Sequence, residues 1–305
     1  MDTQIKISAK SSGRSRAAKD QVGARSFAPP AAQPARIAQE PHLRLDCVPS
    51  IAQGILAVWL GETQAVLVKQ GLSKEYCQTV VEGFKTSEIR RDRRDGVPGQ
   101  EIGATQYGKS GADYSRQAAV VNPELAKIFG GYDNPLAMEM RRLGAAFRDI
   151  GVHLRPLTYN GEAAASARLA MWMADMKDAR WLLKPHDDMA QVRGYQDWEI
   201  SRLDRVIAIN IYVSAIAGSG QLVLTGWKPT DEDRRERGVE KSGYPYAESE
   251  VLHRPHMVMP VETGDIAIID GSFAHGVLVG EGATNDRLLA NFFIGKAGNT
   301  AVYWA

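Results

Sequence analysis

The chain has 305 residues, 44% hydrophobic and 24% charged, which is the composition of a globular protein. Its 37 Lys and Arg stand against 36 Asp and Glu, and a net charge of +1 argues against a nucleic-acid binder that works through a large basic field. No run of about 18 apolar residues occurs, so no membrane span is expected. Two cysteines, Cys47 and Cys77, are too few for a disulfide framework or a thiolate zinc site and are expected as free thiols in a reducing compartment.

From the N-terminus, residues 1–45 are expected as a disordered basic tail. The first forty are rich in Ser, Ala, Pro, Lys and Arg, with Asp2, Asp20 and Glu40 as the acids and Phe27 as the aromatic. Such a segment buries too little apolar surface to offset its ordering entropy. An organelle transit peptide is the rival reading, since those are Arg- and Ser-rich and acid-poor; otherwise a cytoplasmic location is expected. Residues 46–305 then form one domain. Ile55–Leu60 and Ala65–Val68 read as short β-type runs. Ser73 can cap a helix through Phe84, with Tyr76, Val80 and Phe84 on one face. Asn134-Pro135 opens a second helix, in which Leu136, Met140, Leu143 and Phe147 recur at helical spacing and read as core.

After residue 165 the chain reads mainly as β. Leu169–Met173, Trp181–Lys184, Val206–Val213, Gln221–Thr225, Asp265–Asp270, Leu288–Ile294 and Val302–Trp304 are short runs rich in branched and aromatic residues, separated by glycine turns. The expected fold is therefore mainly β with flanking α-helices, built on a sandwich or jelly roll. Residues 228–250 are charged, with Gly and Pro, and read as a solvated insertion or a lid.

The chemistry centres on Lys184-Pro-His186-Asp187-Asp188. In an extended chain residues i and i+2 share a face, so the His186 imidazole and the Asp188 carboxylate converge while Asp187 faces away. That supplies two ligands of a 2-His-1-carboxylate set, which leaves positions open on iron. The third ligand is expected from a later strand, and His275 follows a strand and a tight glycine turn in Gly264–Gly276. Arg287, twelve residues on, enters an apolar strand and needs an anion, because an unpaired buried charge is costly. Asp286 or Glu281 could serve as that anion. The pair His253 and His256 competes for a metal role, but Pro255 disfavours a helix between them, and they read as loop. Asn210 is a candidate hydrogen-bonding residue for a cosubstrate. Trp172, Trp181, Trp198 and Trp227 read as packing. Arg193 and Tyr195, just after the metal motif, are candidates for substrate contact by position alone.

At these residues the chain resembles the non-haem iron(II), 2-oxoglutarate-dependent oxygenases. Among them it is similar to the group of welwitindolinone-type and free-amino-acid halogenases and N-succinyl amino-acid hydroxylases. The features that carry the resemblance are Val66–Lys74, Ala167-Arg168-Leu169, His186-Asp187-Asp188, Gly218–Leu224, Gly264–Gly271, His275, Arg287 and Tyr303-Trp304, over roughly residues 60–305. The resemblance implies a double-stranded β-helix (jelly-roll, cupin-like) core. It implies iron(II) held by His186, Asp188 and His275, 2-oxoglutarate bound by Arg287, and O2 as oxidant. It implies a small carrier-free substrate: an amino acid, an amino-acid derivative or a specialised metabolite. The related halogenases have a small residue at the carboxylate position, which frees a site for halide. Asp188 fills that site here, so hydroxylation of an unactivated C–H is expected over halogenation. Desaturation and cyclisation use the same site and stay open, as do a cupin-like metal enzyme without 2-oxoglutarate and a non-catalytic metal-binding sensor.

Overall fold

A computed structural model describes residues 42–45, 48, 50–93, 99–131, 133–172, 180–195, 198–215, 220–279 and 287–305. Residues 1–41 of the expected tail, Cys47, Asp286 and Glu281 lie outside the described residues, whereas Leu43–Leu45, inside the expected tail, is a strand paired with Ala65–Leu67. Those described fall within the compact unit Ala38–Ala305.

Two sheets carry the fold. The larger contains β1 (Leu43–Leu45), β2 (Ala65–Val68), β3 (Arg91–Asp92), β4 (Gly99–Ile102), β5 (His153–Pro156), β8 (Arg168–Trp172), β10 (Arg205–Ser214), β13 (Ile266–Asp270), β15 (Arg287–Ala297) and β16 (Thr300–Trp304). A hairpin of β6 (Thr158–Tyr159) and β7 (Glu162–Ala163) lies apart from it. The order runs β1-β2-β13-β10-β15-β8-β4-β3, with β16 on β15 and β5 on β16. The smaller sheet is β12 (His256–Met259), β11 (Leu222–Thr225), β14 (His275–Leu278) and β9 (Trp181–His186), in that order. All of its pairs are antiparallel.

Side-chain alternation gives the larger sheet two buried faces. On β10, Ile207, Ile209 and Ile211 pack outward against helices, in one core with Val80, Leu125, Leu143 and Phe147. Ala208 and Tyr212 point the other way and join Leu182, Leu222, Leu224 and Val277 of the smaller sheet in a second core. Two sheets facing across a shared core, one of them backed by helices, make the jelly roll expected from the strand pattern.

The helical layer comprises α1 (Ile51–Leu60), α2 (Lys74–Thr86), α3 (Gly111–Ile128) and α4 (Pro135–Asp149). Three shorter helices, α5 (Ala190–Arg193), α6 (Asp231–Glu236) and α7 (Glu248–Leu252), lie in connections. The caps of α2 and α4 are the expected ones: Ser73 accepts from the Tyr76 N–H, and Asn134 from the Ala137 N–H. Ile55–Leu60 is a correction, because it is helix and not strand. Ser50 caps α1, Gly61 ends it in the left-handed region, and nearly every side chain between them is buried or half-buried. An apolar run buried all round has no period to separate strand from helix. The pattern-based reading did not place α3 at all, although Tyr114, Ala118, Val121, Leu125 and Ile128 form its buried stripe. Pro123 sits inside it, and tertiary packing outweighs that unfavourable residue.

Candidate active site

His186 ends β9 and His275 begins β14, and the two are register partners across the antiparallel pair. Asp188 lies two residues past the end of β9, where its N–H donates to the Gly271 carbonyl at 2.7 Å. A Cβ on Gly271 would sit 2.3 Å from Asp188 Oδ2, so only glycine lets the carboxylate turn inward there. The three side chains converge, with their ligand atoms all within 4.8 Å of one another. Asp188 Oδ2 lies 3.5 Å from His275 Nε2, and Oδ1 lies 3.9 Å from His186 Nε2.

The remaining ring nitrogens set the tautomers. Nδ1 of His186 lies 2.8 Å from the Lys184 carbonyl, and Nδ1 of His275 lies 2.8 Å from the Phe273 carbonyl. Each Nδ1–H therefore donates to a backbone oxygen and leaves Nε2 as a lone-pair donor toward the centre. Burial, reinforced by the neighbouring His275, pushes His186 down to about 4, and burial also lowers His275. Both shifts favour the neutral ring that metal ligation needs. Burial pushes the Asp188 carboxyl up to about 7. Its Oδ1 accepts from Gln191 Nε2 at 2.7 Å, while Oδ2 is buried with no hydrogen-bond partner. An orphaned carboxylate oxygen facing two imidazole lone pairs is electrostatically unfavourable, and a divalent cation between them relieves it. The donor set fits iron(II).

Arg287 opens β15 and is almost fully buried. Its guanidinium lies against Tyr212 (4.8 Å to the ring centre) and Trp172 (5.4 Å). Tyr212 also hydrogen-bonds it. Burial lowers its pKa, yet Nε and Nη1 have no partner among the described residues. A planar cation with free donors, held in an aromatic slot, fits a carboxylate.

Arg287 and the His-Asp-His cluster open onto one cavity of about 420 Å³. Its floor is the inner face of the larger sheet. Asn210 and Asn291 are register partners there, and Arg168 is in turn the partner of Asn291. All three line the cavity, forming a polar row across β10, β15 and β8. Arg168 is held by Glu101, with Nη2 at 2.6 Å and Nε at 2.8 Å from Oε2.

No known family profile matches the chain. An L-isoleucine 3(1)-dioxygenase of Pantoea ananatis is 28% identical over 249 residues, covering 78% of this chain and 82% of that protein. That relative and the His-Asp-His cluster support a place in the non-haem iron/2-oxoglutarate oxygenase superfamily. The fold agrees. An N-substituted L-amino acid dioxygenase of Burkholderia ambifaria superposes with a TM-score of 0.57 at 15% identity, covering 84% of this chain and 91% of the other. The same enzyme in complex with α-ketoglutarate superposes with a TM-score of 0.54 at 14% identity, with the same coverage.

The fold places the other sequence candidates as follows. Asn210 lines the cavity. Trp172, Trp181, Trp198 and Trp227 all sit in apolar clusters, and Trp172 also lines the cavity. Arg193 pairs with Asp231, and the Tyr195 hydroxyl donates to the Gln106 carbonyl; neither lines the cavity. His253 lies in the turn that caps α7, as the loop reading expected, whereas His256 begins β12; both are exposed and apart from the cluster. Cys77 is a buried free thiol. Among the described residues no helix is long and apolar enough to cross a membrane. Sequence reasoning missed Gln191, Asn291 and Tyr244, which line the site from three separate segments. Asn291 alone carried a signal, being four residues from Arg287 and therefore on the same strand face.

Proposed function

We propose that His186, Asp188 and His275 hold iron(II), that Arg287 binds the distal carboxylate of 2-oxoglutarate, and that the enzyme hydroxylates an unactivated C–H of a carrier-free amino acid or amino-acid derivative. One observation carries this reading: an orphaned carboxylate oxygen facing two imidazoles and a guanidinium with unpaired donors open onto the same cavity. The dioxygenase relatives, named for isoleucine and for N-substituted amino acids, support the substrate class. Bound iron would supply the oxidising chemistry, with O2 and 2-oxoglutarate consumed and succinate and carbon dioxide released.

The protein's own share is binding, orientation and exclusion of water. Arg287 fixes one end of the cosubstrate, and the walls made by Trp172 and Tyr212 keep that end dry. A volume of about 420 Å³ belongs to the small-molecule class. The Arg168–Asn291–Asn210 row offers a cation and two carboxamides to the polar groups of an amino acid, and the apolar Leu183, Leu222 and Val277 face its carbon chain. Asp188 completes the carboxylate position, which favours oxygen transfer over halide transfer.

The test is succinate formation from 2-oxoglutarate with iron(II), ascorbate and O2, across free and N-acylated amino acids, with mass spectrometry of each mixture. Substrate-dependent succinate with a product one oxygen heavier is the expected result. His186→Ala and His275→Ala should both abolish it. A product two hydrogens lighter replaces hydroxylation by desaturation or cyclisation, and full activity in either variant overturns the metal assignment.

A further inference from the structure

The insertion at residues 228–250 is clasped to the metal motif. Asp187, between the two ligand residues His186 and Asp188, is fully buried and turned away from the cavity. Its carboxylate meets Arg234 of α6 in a two-pronged ion pair: Nη2 to Oδ1 at 2.8 Å and Nε to Oδ2 at 3.0 Å. Arg234 is itself only 3% exposed. The Tyr246 hydroxyl donates to Oδ2, and the N–H groups of Met189 and Ala190 donate to Oδ1. The backbone is clamped on both sides of His186: Tyr246 N–H donates to the Pro185 carbonyl at 2.8 Å, and Asp187 N–H donates to the Gly243 carbonyl at 3.1 Å. From the same segment Tyr244 reaches the cavity and stands edge-on to the His186 ring, 6.0 Å between centres. Helix α6 is stiffened at its start by a capping box between Thr230 and Asp233.

A stretch of this charge would ordinarily lie in solvent. Here its one buried cation is spent on the residue that links two ligand positions. We infer that Arg234 is a positioning residue of the metal site: through Asp187 it sets the direction in which His186 and Asp188 leave the chain. Removing it leaves the buried Asp187 carboxylate without its counter-charge and lets residues 186–188 reorient. The inference rests on the metal assignment proposed above.

The test is binding of manganese(II) to the full-length metal-free protein by calorimetry, with cobalt(II) absorption as a readout of ligand geometry. Arg234→Met is expected to weaken manganese(II) binding about tenfold or more, the scale of lost support behind a metal ligand, and to alter the cobalt(II) bands. Arg234→Lys should recover part of both. A folded Arg234→Met protein with affinity within twofold of wild type and an unchanged cobalt(II) spectrum overturns the inference. If Arg234→Met fails to fold, Tyr246→Phe decides, since it removes one donor to Asp187 and keeps the ring. Several-fold weaker manganese(II) binding supports the inference, and unchanged binding overturns it. His275→Ala is the separate control: it should lose manganese(II) binding, and wild-type affinity there overturns the metal assignment itself.

Discussion

Gly220 shows how a residue without a side chain can govern one with a charge. Its φ is +66°, and a Cβ there would lie 2.0 Å from Arg287 Nη1. Gly220→Ala should therefore displace the guanidinium and weaken the apparent affinity for 2-oxoglutarate by roughly tenfold or more, the equivalent of about one charge-assisted hydrogen bond. Turnover at saturating 2-oxoglutarate should fall much less. Arg287→Ala should act in the same direction and more strongly. A 2-oxoglutarate titration of initial rates checks both, and an unchanged apparent affinity in Arg287→Ala rules out its proposed role. At this scale much of the site was legible. His186, Asp188, His275 and Arg287 each stand out as a polar residue at the edge of an apolar run, and the fold brings all four to one cavity. Gln191 and Tyr244 were not legible, because nothing local distinguishes a polar side chain facing a cavity from one facing water.

The elements sort by whether their pattern has a period. Helices α2 and α4 have one polar face and a side-chain cap, and both were readable to within two residues. Strands β10, β13 and β15 are branched runs bounded by turns, and they too were readable. Helix α1 was not, since burial on almost every side removes the amphipathic signal. What holds α1 is tertiary contact. Trp59 packs on Phe147 of α4 with 4.8 Å between ring centres, and both are buried. Phe147→Ala should cost about 3–5 kcal/mol of stability, the range for a large buried aromatic. Chemical denaturation would measure this. Manganese(II) affinity of the folded variant should stay near wild type, because Phe147 lies on the helix side of the larger sheet, in the core away from the cavity.

For the whole molecule, the metal candidates and Arg287 belong to different sheets. His186 and His275 come from the smaller sheet, Arg287 from the larger, and the cavity between them exists only once the two faces meet. A ligand that bridges the sheets binds the folded state alone and must raise its stability, by about 2.7 kcal/mol at a hundredfold excess over Kd. Anaerobic thermal unfolding should thus show manganese(II) raising Tm, and an unreactive 2-oxoglutarate analogue raising it further only when the metal is present. A Tm indifferent to both would contradict the shared cavity as their site. The sequence by itself determined the residue types of the candidate site, their order and the β-rich character of the half that carries them, because ligand chemistry and strand periodicity are local properties. Only the tertiary structure decided that α1 and α3 are helices, that Asn291 and Arg168 join Asn210 in one row, and that the charged insertion anchors Asp187. Each of these depends on which surfaces become buried against one another, and burial is a property of the whole chain.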